Sequence, residues 1–112
     1  MASPKINLYG YMFHGLFCAN EIRRFERRPG VYIVTCACRE ESYDLEIGDT
    51  ADVQSFLLTH PKAGTWSNGC KCPSGSSGPV YFAAFYCTEG GKHDRKELAE
   101  KIRARAAAEG NI

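Results

Sequence analysis

The sequence predicts a small α/β sandwich, a three- to four-stranded mixed sheet flanked by helices around a β-β-α-β-α core. Three observations predict it. Residues 30–36 and 43–47 alternate in the period-two manner of strands and are separated by the polar run Arg39-Glu40-Glu41-Ser42. Residues 80–87 (Val-Tyr-Phe-Ala-Ala-Phe-Tyr-Cys) are apolar on both faces, the mark of a central strand covered on each side. Two segments, 51–60 and 94–108, carry apolar residues at helical spacing.

At the N-terminus, residues 5–13 alternate loosely and read as a strand. Asn20 then caps a short helix over 21–27, so residues 1–28 form an extension of one strand and one short helix. Gly30 opens the first core strand, with Val31, Ile33 and Thr35 on one face and Tyr32, Val34 and Cys36 on the other. Gly48 ends the second strand at a sharp bend, and Asp49 or Thr50 caps the following helix. Val53, Phe56 and Leu57 give that helix its packed side, and Pro61 stops it. A long Gly- and Ser-rich loop spans 62–78, anchored by Trp66. In the last helix Asp94 caps, Leu98 and Ile102 point inward, and Lys96, Lys101, Arg103 and Arg105 face out.

Composition narrows the function classes. A chain of 112 residues with 44% hydrophobic content fills one core, so residues 1–112 read as a single domain. The net charge of +1 gives no overall pull toward nucleic acid or membrane, so such binding must come from a local patch. No apolar run reaches the ~18 residues of a membrane span. The opening residues lack a basic segment followed by a long apolar one, which leads to an expected cytoplasmic location and to six cysteines as thiols.

The half-motifs Gly30-Val31-Tyr32 and Glu46-Ile47-Gly48, followed in order by a helix, a strand and a helix, resemble the GIY-YIG nucleases over residues 29–112. The resemblance implies that fold and a metal-dependent cleavage of phosphodiester bonds in DNA. In that family a Tyr from each half-motif supports the base. An Arg on the first helix supplies the cation, and a Glu on the later helix holds a divalent metal. Tyr32 stands at the first Tyr position and Glu46 at the second, where a carboxylate can act as base. Phe56 stands where the Arg belongs, and the loss of such a preorganised cation costs ~10²–10³ in rate. His60 matches a frequent family His, with a capping or surface role as the alternative. Asn111 matches the family Asn. The register that keeps Leu98 and Ile102 as flanking residues puts Ala99 at the metal position, and Glu100 takes that role only in a register shifted by one.

The resemblance therefore implies a degenerate site, with Tyr32, Glu46 and His60 as its catalytic candidates and Glu100 as its metal candidate. Mg²⁺ or Mn²⁺ is expected if the chain is catalytic, and no cofactor otherwise. The expected function is an interaction module for nucleic acid or protein, with an active divergent endonuclease as the alternative. Arg23, Arg24, Arg27 and Arg28 form either a phosphate-facing patch or a solvated helix face. Arg39 and Arg95 are further cations that reach the cleft from elsewhere. Cys36-x-Cys38 and Cys70-x-Cys72 admit three readings: a four-thiolate zinc site, thiol–disulfide exchange, or, as the favoured one, no special role. Cys18 and Cys87 read as core.

Overall fold

The structure is a computed structural model that describes residues 4–37, 42–67, 69–71, 77–87 and 92–110. Its strands are β1 (Lys5–Leu8), β2 (Tyr11–Cys18), β3 (Gly30–Ala37), β4 (Ser42–Thr50), β5 (Cys70–Lys71), β6 (Ser77–Gly78) and β7 (Val80–Tyr86). Five of these form the central sheet, in the order β1-β2-β7-β3-β4, and β5 pairs with β6 apart from it. Every pairing in the central sheet is antiparallel. The expectation of three to four strands in a mixed sheet is thus corrected to five antiparallel ones, and the additional strand comes from the N-terminus. Tyr9 and Gly10 both have positive φ, 56° and 89°, so the chain turns there. What reads as one strand over 5–13 becomes the hairpin β1-β2, and the following helix is a 3₁₀ segment over Ala19–Arg24.

Helices cover both faces of the sheet. The 3₁₀ segment, α1 (Val53–Leu58) and α2 (Ala63–Ser67) lie on the Tyr32 face, and α3 (Lys92–Ala108) lies on the other. Strand alternation produces the two cores. Phe17, Tyr32, Val34, Phe82 and Ala84 join Phe25, Val53, Leu57 and Trp66 in one. Phe13, Val31, Ile33, Ile47 and Ala83 join Ala99, Ile102 and Ala106 in the other. Full burial of each large apolar side chain contributes about 1.5–3 kcal/mol. As the sequence indicates, β7 is central, and it is flanked by β2 and β3.

Several local boundaries differ from expectation: Cys18, not Asn20, stands at the N-cap of the 3₁₀ segment, and α1 ends at Leu58, three residues before Pro61. Asp52, not Asp49 or Thr50, caps α1, accepting from the Ser55 N–H at 3.0 Å. Gly48 does not end β4, which runs on to Thr50. The helix α3 begins at Lys92, so Asp94 sits in its first turn. Within the long loop, α2 and the two-residue strands β5 and β6 give order that composition did not signal.

The cysteines also depart from the thiol expectation. Cys36 and Cys70 form a disulfide, while Cys18 and Cys87 are free and half-buried rather than core. Cys36 lies on β3 opposite Val80, and Cys70 lies on β5 opposite Gly78, two residues before Val80, which brings the two cysteines together. Cys38 and Cys72 lie outside the described residues, as do Arg39 and Asn111.

Candidate functional site

The site is built from β3, β4 and the end of α1. Antiparallel pairing sets Gly48 directly across from Tyr32 and Glu46 across from Val34, so Tyr32 and Glu46 share a face. A Cβ on Gly48 would lie 2.5 Å from the Tyr32 Oη and 2.8 Å from its Cζ. The missing side chain therefore lets the phenol lie across β4, which explains a glycine in mid-strand. The phenol then donates to Glu46 Oε2 at 2.6 Å. A β-bulge follows directly beyond this pair and turns Asp44 to the other face. Val34 pairs with Glu46 but Thr35 pairs with Asp44, leaving Leu45 as the extra residue. Asp44 thereby faces the α3 side, where Tyr9 donates to it, and Glu46 faces Tyr32.

The third member arrives from α1. Thr59 ends the helix, and His60 places Nε2 2.7 Å from the same Glu46 oxygen. The His60 Nδ1 accepts the Lys62 backbone N–H at 3.0 Å. That hydrogen bond assigns the tautomer, because Nδ1 must offer a lone pair and so Nε2 carries the proton donated to Glu46. Tyr32, Glu46 and His60 are thus brought together, with one carboxylate oxygen accepting from two rings.

The surroundings are aromatic. Phe56 packs against Tyr32 at 5.0 Å and against His60 at 5.1 Å between centroids. Trp66 lies 4.3 Å from His60 and 5.9 Å from Phe82. Burial, and next the hydrogen bond to Glu46, push the Tyr32 phenol far above its ordinary value, so it remains a proton donor at any physiological pH. Neither ring is placed to take a proton from water, since the phenol keeps its own and both imidazole nitrogens are engaged. Glu46, a quarter exposed, keeps Oε1 without a donor among the described residues, and that oxygen is the group open to chemistry.

The remaining candidates lie elsewhere. Glu100 is exposed on α3, and the helix packs its Ala99 face against the opposite side of the sheet from Tyr32. Arg95 is not at the surface patch; it is only 11% exposed, 3.7 Å from Asp49, and its Nε has no hydrogen-bond partner among the described residues. Arg24, Arg27 and Arg28 pair with Glu21, Asp52 and Glu26 at 2.9, 3.0 and 2.8 Å. Arg24 also lies over Phe17 and Arg28 over Tyr86. Among the described residues no carboxylate pairs with the exposed Arg23.

A divalent metal does not fit this donor set. Hard divalent cations take several oxygen ligands, and no group of three His, Cys, Asp or Glu converges among the described residues. The one carboxylate of the site already has an oxygen committed to two donors.

Sequence reasoning did not find the aromatic wall or Arg103, which crosses from α3 to donate to the Ile47 carbonyl at 2.7 and 3.2 Å. The spacing of Phe56 and His60, four apart, carried a signal for their contact. Trp66 carried none. Compared with known proteins, the chain matches no family model, no curated protein and no solved structure.

Proposed function

We propose that this chain is a GIY-YIG-like domain that serves as a nucleic-acid interaction module without efficient phosphodiester hydrolysis. One observation carries the reading: the Tyr32–Glu46–His60 set is closed on itself. The phenol and the imidazole both donate to Glu46, and Phe56, where a cation belongs, fills the space between their rings. Hydrolysis needs charge absorbed at phosphorus, and this cluster presents an acceptor instead. The order β3-β4-α1-β7-α3, with α2 and the short β5–β6 pair inserted before β7, supports the architecture. The arginine segment supports the ligand class. Its ion pairs lie at the surface, where water and salt screen them, so a phosphate can replace a carboxylate at little cost.

The open Glu46 Oε1 favours a second reading, an active divergent endonuclease. A carboxylate oriented by two donors with one free oxygen is a candidate general base. Nicking of supercoiled plasmid with Mg²⁺ or Mn²⁺, run beside fluorescence anisotropy on a labelled duplex, separates the two. The expected result is binding without nicking. Nicking that Glu46→Gln abolishes would establish the second reading, and absence of binding would remove nucleic acid as the ligand.

A further inference from the structure

We propose that the Cys36–Cys70 disulfide is a reversible redox clamp that holds Trp66 against His60 and thereby fixes the Tyr32–Glu46–His60 cluster. The clamp acts on the cluster whatever the cluster binds.

Apart from the burial of the Trp66 indole among Phe17, Phe25, Leu57 and Phe82, the segment that carries it has few ties. Its helix α2 is five residues long, too short to persist alone. Its backbone hydrogen bonds are local: Ala63 N–H to the His60 carbonyl, Trp66 N–H to Lys62, and Gly69 N–H to Trp66. Outside these, the described ties to the sheet are the Trp66 ring on Phe82 and the disulfide four residues later. Across the disulfide Cys70 pairs only with Gly78 of a two-residue strand. Cys36, by contrast, is 1% exposed in a fully paired central strand. One half is therefore rigid and buried, and the other is half-exposed on a weakly held segment.

Access comes from one side. A cleft of about 540 Å³ is lined by Gly69, beside Cys70, together with Trp66, Pro79 and Cys18. Of the two sulfurs, that of half-exposed Cys70 is open to a dithiol and that of buried Cys36 is not. The thiolate of the dithiol attacks the Cys70 sulfur, forming a mixed disulfide and releasing Cys36 as a thiolate that takes up a proton. The second thiol of the reductant then closes its own disulfide and releases Cys70. Two electrons and two protons pass to the protein, and the reductant is oxidised by the same two electrons. In a reducing compartment disulfides of this kind are sensors more often than staples.

Trp66 is the only tryptophan of the chain, so its fluorescence reads the clamp directly. Emission and acrylamide quenching are measured on the oxidised full chain and after dithiothreitol, with peptide mapping to verify the Cys36–Cys70 link and its reduction. The expected result is a red shift and a larger quenching constant on reduction, with unchanged far-UV circular dichroism and a shift of the His60 ring resonances as Trp66 leaves. Cys70→Ser matches the reduced form and ignores dithiothreitol, whereas Cys18→Ser still responds. Unchanged emission after verified reduction overturns the proposal. So does loss of far-UV structure on reduction, which makes the bond a staple of the whole fold, and so does a linked peptide that does not contain Cys36 and Cys70.

Discussion

At the scale of single residues, the site turns on a glycine. Gly48 has the space of its Cβ occupied by the Tyr32 ring, so Gly48→Ala forces a buried aromatic to move and is expected to cost about 1–3 kcal/mol. Tyr32→Phe removes a hydrogen bond to a carboxylate and is expected to cost about 1.5–3 kcal/mol. The two are coupled, because the nearest contact of the new methyl is the hydroxyl that Tyr32→Phe deletes. Urea unfolding of both singles and the double should show Gly48→Ala costing less when combined with Tyr32→Phe; strict additivity would mean the clash is not with Tyr32. Cys18 offers a second test at this scale, since its thiol donates to Glu21 Oε1 at 2.8 Å. That hydrogen bond, and next burial, push the thiol up. Glu21→Gln should therefore speed iodoacetamide modification of Cys18 near neutral pH, while an unchanged rate would show that Glu21 does not protect it. The pattern of residues made Tyr32 and Glu46 visible as a pair. That His60 donates to the same Glu46 oxygen as Tyr32 was not, because the contact joins the end of α1 to β4 across 14 residues; nor was the place of Asp44, which strict alternation puts on the Glu46 face and the bulge at Leu45 moves to the other.

At the scale of elements, β3, β4, β7 and α3 were legible because their apolar patterns are long and regular. The N-terminal hairpin was not, since its turn is made by Tyr9, a residue that rarely takes positive φ. The loop elements were hidden too, for they are only two to five residues long, too short to show a period, and no local pattern announces the disulfide between residues 34 apart. Closing a loop of that size stabilises the fold by about 4 kcal/mol on chain-entropy grounds. The N-terminal hairpin is tied to β4 by the Tyr9 hydroxyl on Asp44. Burial raises the Asp44 carboxyl above its ordinary value, with the Tyr9 and Thr35 hydrogen bonds acting against that rise. A carboxyl raised on folding contributes stability below its unfolded value of 3.8, and this is lost as pH rises through the folded value. Tyr9→Phe takes away a bond that favours the carboxylate, so Asp44 rises further. The expected outcome is a larger loss of stability at pH 7 than at pH 3 in matched urea titrations. An equal loss at both would mean that Tyr9 acts through packing alone.

At the scale of the whole molecule, charge decides how nucleic acid can be held. The net charge is +1, so no long-range field steers a polyanion to the chain. Local contacts must carry the affinity. Each phosphate neutralised contributes about −0.9 to the slope of log K against log salt. Arg23 is exposed without a carboxylate partner among the described residues, and it is ready to act. Arg24, Arg27 and Arg28 act only after leaving Glu21, Asp52 and Glu26. A contact that trades a carboxylate for a phosphate gains less than one made by a free guanidinium. Binding should therefore be weak, and Arg23→Ala should lower the slope by about 1. Removing a competing carboxylate should do the reverse. Glu26→Gln, which frees Arg28, is expected to tighten binding and steepen the slope. Asp52→Asn frees Arg27 in the same way while keeping a residue that caps α1 well, so the gain is not confounded by helix loss. Anisotropy titrations at several salt concentrations read all three variants. If Arg23→Ala leaves affinity and slope untouched while Glu26→Gln and Asp52→Asn gain nothing, the arginine segment is a solvated face held by its own ion pairs, and the ligand must be sought at the open oxygen of Glu46.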